Sequence, residues 1–251
     1  MSAQQLLARR LLSLTDLTSL NDNDDDSSVR NLAALACTRA GKVAALCIWP
    51  RFIAVAAHAL RDSGVAIAAV ANFPAGAPDS QVAAAQTAAA VSNGADEVDV
   101  VFPYRALLAG DALAGLSLVR ACRAVCGPRT ILKVILETGQ LGDAARIRRA
   151  ADIAIDGGAH FLKTSTGKSQ PAATPEAAAV MLDAIAAAAA RGMAVGFKVS
   201  GGIRTIDDAL PYLTMYERRF GEGAASAASF RIGTSTLVTA LLAILEPAKA
   251  P

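Results

Sequence analysis

Residues 97–137, EVDVVFPYRALLAGDALAGLSLVRACRAVCGPRTILKVILE, decide the fold. They open on a β-rich run, Glu97–Phe102, continue through an alanine- and leucine-rich stretch with helical spacing, Ala112–Val125, and close on a second β-rich run, Thr130–Glu137. Strand, helix and strand in that order call for parallel pairing through a right-handed crossover. The unit recurs in both directions. Further strands are expected at Leu12–Leu17, Val43–Ile48, Val65–Asn72, Ala159–Thr164, Ala194–Ser200 and Ser229–Gly233, and further helices at Ser80–Ser92, Asp143–Asp156, Pro175–Ala190 and Ile206–Arg219. Eight such units in 251 residues have the size of a closed (β/α)8 TIM barrel, an α/β fold. A doubly wound open sheet is the alternative, but no G-x-G-x-x-G follows the first strand. No linker rich in Pro, Gly or Ser interrupts residues 1–251, so they read as one domain.

Composition narrows the function. Hydrophobic residues make up 53% of the chain and charged residues 18%, enough apolar material for a large core. The net charge of +2 and the absence of a basic run argue against nucleic acid and membrane partners. No apolar run is long enough to be a spanning helix. The N-terminus, MSAQQLLARRLLSL, has no acid before Asp16; transit peptides share this pattern, but we read a short amphipathic helix at the barrel floor. Cys37, Cys47, Cys122 and Cys126 form no C-x-x-C pair and are read as reduced thiols of a cytoplasmic protein. Asp22–Asp26 suggests a calcium loop, but Ser27 stands where glycine is required and Ala33 where glutamate is, leaving a solvated loop that feeds a helix.

Side chains alternate between the faces of a strand. Leu132 and Val134, Val98 and Val100, Leu162, and Phe197 and Val199 take the helix-facing parity. That sends Asp99, Lys133, Lys163 and Lys198 into the barrel interior, toward the strand ends where barrel enzymes place their chemistry. The chain has only six lysines against eighteen arginines, and three of the six fall on inward positions. Arginine, used freely elsewhere, cannot lose a proton. Structural ion pairing would explain one inward lysine; three with an aspartate point to chemistry.

A free lysine has a pKa of about 10.4, so roughly 0.04% is the nucleophilic amine at pH 7. Burial and a second cation both favour the neutral form. Lys198 beside Lys163 would supply that cation, and Asp99 would balance charge and handle protons. The glycine-rich segments Ser200–Thr205 and Gly233–Thr236 follow the last two strands, where barrels often bind phosphate through bare backbone N–H groups.

With these residues assembled, the chain resembles the deoxyribose-phosphate aldolase family. The likeness lies in Thr15–Thr18 with Asn21 and Asp22, Cys47–Phe52, Asn72–Pro74, Gly94–Val101, Lys133–Thr138, Phe161–Lys168 and Gly196–Thr205, spread over nearly the whole length. It implies a class I aldolase that reversibly cleaves 2-deoxy-D-ribose 5-phosphate to acetaldehyde and D-glyceraldehyde 3-phosphate, in deoxyribose phosphate catabolism. It also implies that Lys163 forms the Schiff base, Lys198 favours its neutral amine and Asp99 joins the proton relay. Lys168, Gly201, Gly202, Gly233 and Ser235 would hold phosphate; Asp16 and Cys47 would line the site, with Cys47 able to react with aldehydes. No metal or organic cofactor is implied, and a homodimer is the assembly the resemblance suggests. One departure stands out: some members end in a tyrosine that assists proton transfer, whereas the last tyrosine here is Tyr216 and the sequence ends Glu246–Pro251. That implies a slower proton step or a water in its place.

Two other readings remain. Another Schiff-base sugar-phosphate aldolase would use the same amine chemistry, and a non-catalytic sugar-phosphate-binding barrel would need only the glycine loops. A zinc-dependent aldolase usually needs several histidines, and only His58 and His160 are present, both read as structural.

Overall fold

A closed barrel of eight parallel strands forms the centre of the molecule, which rules out the open sheet. The computed structural model describes residues 1–246. The C-terminal segment 247–251, on which the expectation about the missing tyrosine bears, lies outside the described residues. The strands are β1 (Thr15–Thr18), β2 (Ala45–Ile48), β3 (Ala66–Ala71), β4 (Glu97–Val101), β5 (Ile131–Ile135), β6 (Phe161–Lys163), β7 (Gly196–Ser200) and β8 (Phe230–Thr234). β1 closes the ring by pairing with both β2 and β8.

The strand expected at Leu12–Leu17 begins three residues later. Ser2 and Gln5 form a capping box, and the helix α1 (Ala3–Ser13) takes Leu11 and Leu12 onto its buried face. A short apolar run cannot by itself separate strand from helix, and here the cap decides. Leu14 then bridges to the barrel, its carbonyl accepting from Ile232, which places α1 at the N-terminal end. The other strands start or stop one or two residues from their expected limits.

The large helices are α3 (Ser80–Ser92), α4 (Ala112–Cys126), α5 (Ala144–Asp156), α6 (Pro175–Ala189) and α7 (Ile206–Phe220). Each starts on a side-chain cap: Asp79, Asp111, Asp143, Thr174 and Thr205. The acidic run at 22–26 does feed a helix, α2 (Asp26–Ala36), capped by Asp25.

Two apolar layers result. Val98, Val100, Leu132, Val134, Leu162, Phe197 and Val199 pack outward on the helices in the main core. A much smaller cluster, Leu20, Ala45, Cys47, Ala68 and Val70, lies inside the ring on the β2–β3 side. The opposite side of the interior carries long polar side chains, and the small residues on β2 and β3 leave room for them.

His160 is built into the wall. Its Nδ1 accepts from the Leu132 N–H at 2.9 Å, which only the neutral imidazole can do. Burial, helped by the Arg123 charge, pushes its pKa below 6.5. Below that pH the unfolded chain takes up the proton first, so folding is disfavoured as pH falls; above it this contribution is complete. We expect the urea midpoint to fall between about pH 7.5 and pH 5.5, and to fall less in His160→Gln. Identical slopes would show that His160 does not carry the effect.

Candidate active site

Strand register brings the inward polar residues into one place. Asp99 pairs with Lys133 across β4–β5, Lys163 with Lys198 across β6–β7, and Arg231 with Lys198 across β7–β8. Asp16 sits beside Gly233. All their side chains are at most 5% exposed.

Six of these groups close an alternating ring of charge. Asp99 meets Lys133 at 2.7 Å, and Lys133 meets Glu97 at 2.5 Å. Glu97 meets Arg231 at 2.7 Å, and Arg231 meets Asp16 at 2.6 Å. Asp16 meets Lys198 at 2.5 Å, and Lys198 returns to Asp99 at 2.8 Å. Three carboxylates alternate with three cations, so each member touches at least two of opposite sign, Lys133 also approaching Asp16 at 3.6 Å, and the ring sums to zero.

Lys163 is the seventh group. Its Nζ reaches only Asp99 Oδ2, at 2.9 Å, an oxygen already shared with Lys198. It is also the one of the buried bases that lines the open pocket above.

The ring fixes its own ionisation. Burial opposes charge on Asp99 most strongly, but Lys133, Lys163 and Lys198 together hold it well below the usual 3.8. Asp16 is depressed in the same way, against burial, by Lys198, Lys133 and Arg231. Burial likewise opposes the charge on Lys133 and Lys198, but their carboxylate partners win and push both above 10.5. Cys47 lies fully buried with its Sγ 3.9 Å from Asp99 Oδ2; burial and then the Asp99 charge raise its pKa, so at neutral pH it is a thiol.

Above the ring opens a pocket of about 250 Å³. Lys163 is at its base. Lys168, Gly201, Gly202, Gly233 and Ser235 line it, with Thr18, Asn21, Thr166 and Arg204, which sequence reasoning did not single out. Asp16, Cys47, Asp99 and Lys198 do not line the pocket but lie beneath it. Gly201 and Gly202 have φ of 94° and 86°, a region that disfavours residues with a Cβ. Among the described residues no protein oxygen accepts from the backbone N–H of Gly202 or Ser235, which face the pocket. Gly233 serves another need: a Cβ there would lie 2.7 Å from the Ser200 Cβ and 3.1 Å from the Lys198 Cε.

Glu137 holds the other wall. It adopts φ 57°, unusual for a residue with a side chain, and is 1% exposed. Its carboxylate accepts from the Thr166 hydroxyl at 2.5 Å and the Thr166 N–H at 3.2 Å. Thr166 Oγ1 in turn accepts from the Lys168 N–H at 3.0 Å, and Lys168 Nζ donates to the Leu20 carbonyl across the mouth at 2.7 Å.

Glu97 and Arg231 belong to the site although neither is among the residues expected from the sequence. The available signal was parity, since Arg231 shares the face of Gly233 on the last strand. Among the described residues no three His, Cys, Asp or Glu side chains are disposed to hold a metal ion.

Fold and site define a TIM-barrel enzyme with an amine at the base of its mouth. The sequence matches the model of the DeoC/LacD family of aldolases over residues 10–226, and the chain belongs to that family. It is similar to a candidate deoxyribose-phosphate aldolase from Toxoplasma gondii in its apo form, at 25% identity and a TM-score of 0.89 over 98% of this chain and 99% of that one. A candidate deoxyribose-phosphate aldolase from Coccidioides immitis shares 27% identity, with a TM-score of 0.79 over 96% and 87%. The deoxyribose phosphate aldolase of Aeropyrum pernix, described as a tetramer, shares 25% with a TM-score of 0.76 over 97% and 98%. The protein is thus an aldolase, a carbon–carbon lyase that works on small molecules.

Removing one member of the ring leaves its partners buried and unpaired. Asp99→Asn is expected to lower unfolding free energy by about 3–5 kcal/mol, the usual cost of breaking a buried pair from one side. Denaturant unfolding at neutral pH measures this, and a loss within error of zero would mean that the ring is not formed as described.

Proposed function

We propose that this aldolase reversibly cleaves 2-deoxy-D-ribose 5-phosphate to acetaldehyde and D-glyceraldehyde 3-phosphate through a Schiff base on Lys163. One observation carries the reading: Lys163 is the base left over when the ring has balanced itself, and it alone among the buried bases lines the pocket. If all seven groups were ionised, three carboxylates would face four cations. A net charge in so dry a place is costly, and losing one proton removes it. Lys133, Lys198 and Arg231 each bind two carboxylates closely, whereas Lys163 binds one.

The neutral Lys163 amine attacks the C1 carbonyl of the open-chain sugar, and water departs to leave an iminium. The C3 hydroxyl gives up its proton, the C2–C3 bond breaks, and its electron pair is drawn to the iminium to form an enamine. D-Glyceraldehyde 3-phosphate leaves. The enamine takes a proton at carbon, and water releases acetaldehyde and restores the amine. Asp99 Oδ2 touches both Lys163 and Lys198 and would move protons at the nitrogen, with Lys198 as the neighbouring ammonium. Asp16 anchors Lys198 from its other side.

The phosphate would lie against the backbone N–H groups of Gly202 and Ser235, with Gly201 and Gly233 allowing close approach and Lys168 supplying charge. Cys47, a buried thiol, would wall the aldehyde side rather than act as a nucleophile in turnover. The setting this reading implies is cytoplasmic deoxyribose phosphate catabolism by a homodimer, with no metal or organic cofactor. A different Schiff-base aldolase would share the amine but not the substrate. No helix among the described residues is long and apolar enough to cross a membrane.

Borohydride reduction in the presence of acetaldehyde should leave a two-carbon adduct on Lys163, located by peptide mass spectrometry, and Lys163→Ala should lose turnover by on the order of 10⁴-fold or more. Adduct on Lys133 or Lys198 instead would overturn the assignment. Ser235→Asp should lower kcat/KM for 2-deoxyribose 5-phosphate by about a hundredfold through like-charge repulsion, while changing that for unphosphorylated 2-deoxyribose little. An equal loss on both substrates would place the phosphate elsewhere.

A further inference from the structure

The structure assigns a role to Arg231 that neither the family likeness nor the Lys163 chemistry supplies: it is a positioning residue that sets the pH at which Lys163 becomes a free amine. The inference rests on the Schiff-base reading of Lys163. Arg231 is 4% exposed and does not line the pocket that Lys163 lines. Its guanidinium joins Asp16 Oδ1 at 2.6 Å to Glu97 Oε1 at 2.7 Å and lies over the Phe161 ring, 5.7 Å from its centroid.

The reason is a charge count. The buried polar set that reaches Lys163 through Asp99 comprises Asp16 from β1, the neutral Cys47 thiol from β2, Glu97 and Asp99 from β4, Lys133 from β5, Lys198 from β7 and Arg231 from β8. β3 presents only the apolar Ala66, Ala68 and Val70 to the interior. Lys168 and Arg204 lie on the open side of the pocket, where water screens them, and the Glu137 carboxylate is bound to Thr166. Within the buried set, three carboxylates are met by Lys133, Lys198 and Arg231, so the set is neutral when Lys163 is uncharged. Of the three cations only Arg231 cannot give up a proton in water. It therefore makes the count permanent.

Without Arg231 the arithmetic reverses. Three carboxylates would face Lys133 and Lys198 alone, and the set would be neutral only when Lys163 keeps its proton. Glu97 acts in the opposite sense, since its removal leaves one cation in excess. Losing both restores the original balance, with two carboxylates, two lysines and an uncharged Lys163. A purely structural salt bridge has no such property: its double variant has no reason to recover a pH profile.

The test follows the pH dependence of borohydride trapping of acetaldehyde on Lys163 in the parent, Arg231→Met, Glu97→Gln and the double variant. The midpoint of Arg231→Met should move to higher pH by about one to three units. That of Glu97→Gln should move to lower pH, and that of the double variant should return close to the parent's. Arg231→Lys should keep most of the parental midpoint. If Arg231→Met does not fold, Glu97→Gln and the double variant still decide the matter. Unchanged midpoints in folded single variants, or a double variant that stays displaced, would overturn the role of Arg231. Absence of any Lys163 adduct in the parent would instead remove the Schiff-base reading, and this inference with it.

Discussion

Six buried charges, three acids alternating with three bases, sit where most barrels of this size pack aliphatic side chains, and the surrounding structure is arranged around them. Moving each ion out of water costs several kcal/mol, and one salt bridge seldom offsets that. A closed ring does better because every member has two partners of opposite sign: Asp16 between Lys198 and Arg231, Glu97 between Arg231 and Lys133, Asp99 between Lys133 and Lys198. The arrangement demands a barrel. The six side chains come from β1, β4, β5, β7 and β8, and only a sheet closed on itself points all of them at one another.

Other residues are small so that the charged ones can be long. Ala45 and Ala68 on the opposite wall leave space for the lysine stems. Gly233 keeps clear of the Lys198 Cε. Gly196 plays the same part for Phe161, whose ring a Cβ at 196 would meet at 2.4 Å. Such close packing means that volume changes here shift the charges as well as the core.

The mouth is built on different principles. There the backbone supplies the polar groups, exposed by glycines in the left-handed region and by the ends of β7 and β8. Glu137, held at positive φ, fixes Thr166 and through it Lys168, so a strained turn at the end of β5 positions a loop that leaves β6. Rigid side-chain chemistry below and backbone recognition above meet at Lys163.

Much of this could be read from the amino-acid order alone. Alternation along Glu97–Phe102 and Thr130–Glu137 separates an outer apolar face from an inner polar one, because side chains on a strand change sides at every residue. Recurrence of the unit implies a parallel sheet, and the motif around Lys163 carries the family likeness. The start of β1 is not legible there, because Leu11, Leu12 and Leu14 suit a strand as well as a helix, and only the cap at Ser2 settles the matter. Parity says that a residue points inward; it does not say what it meets there. That Arg231 bridges Asp16 and Glu97, 215 and 134 positions away, and that Lys163 is left with a single shared oxygen, depends on strand register and barrel closure. Those are set by the packing of all eight strands together, so the partners of each charge, and hence which base is left over, exist only in the folded molecule.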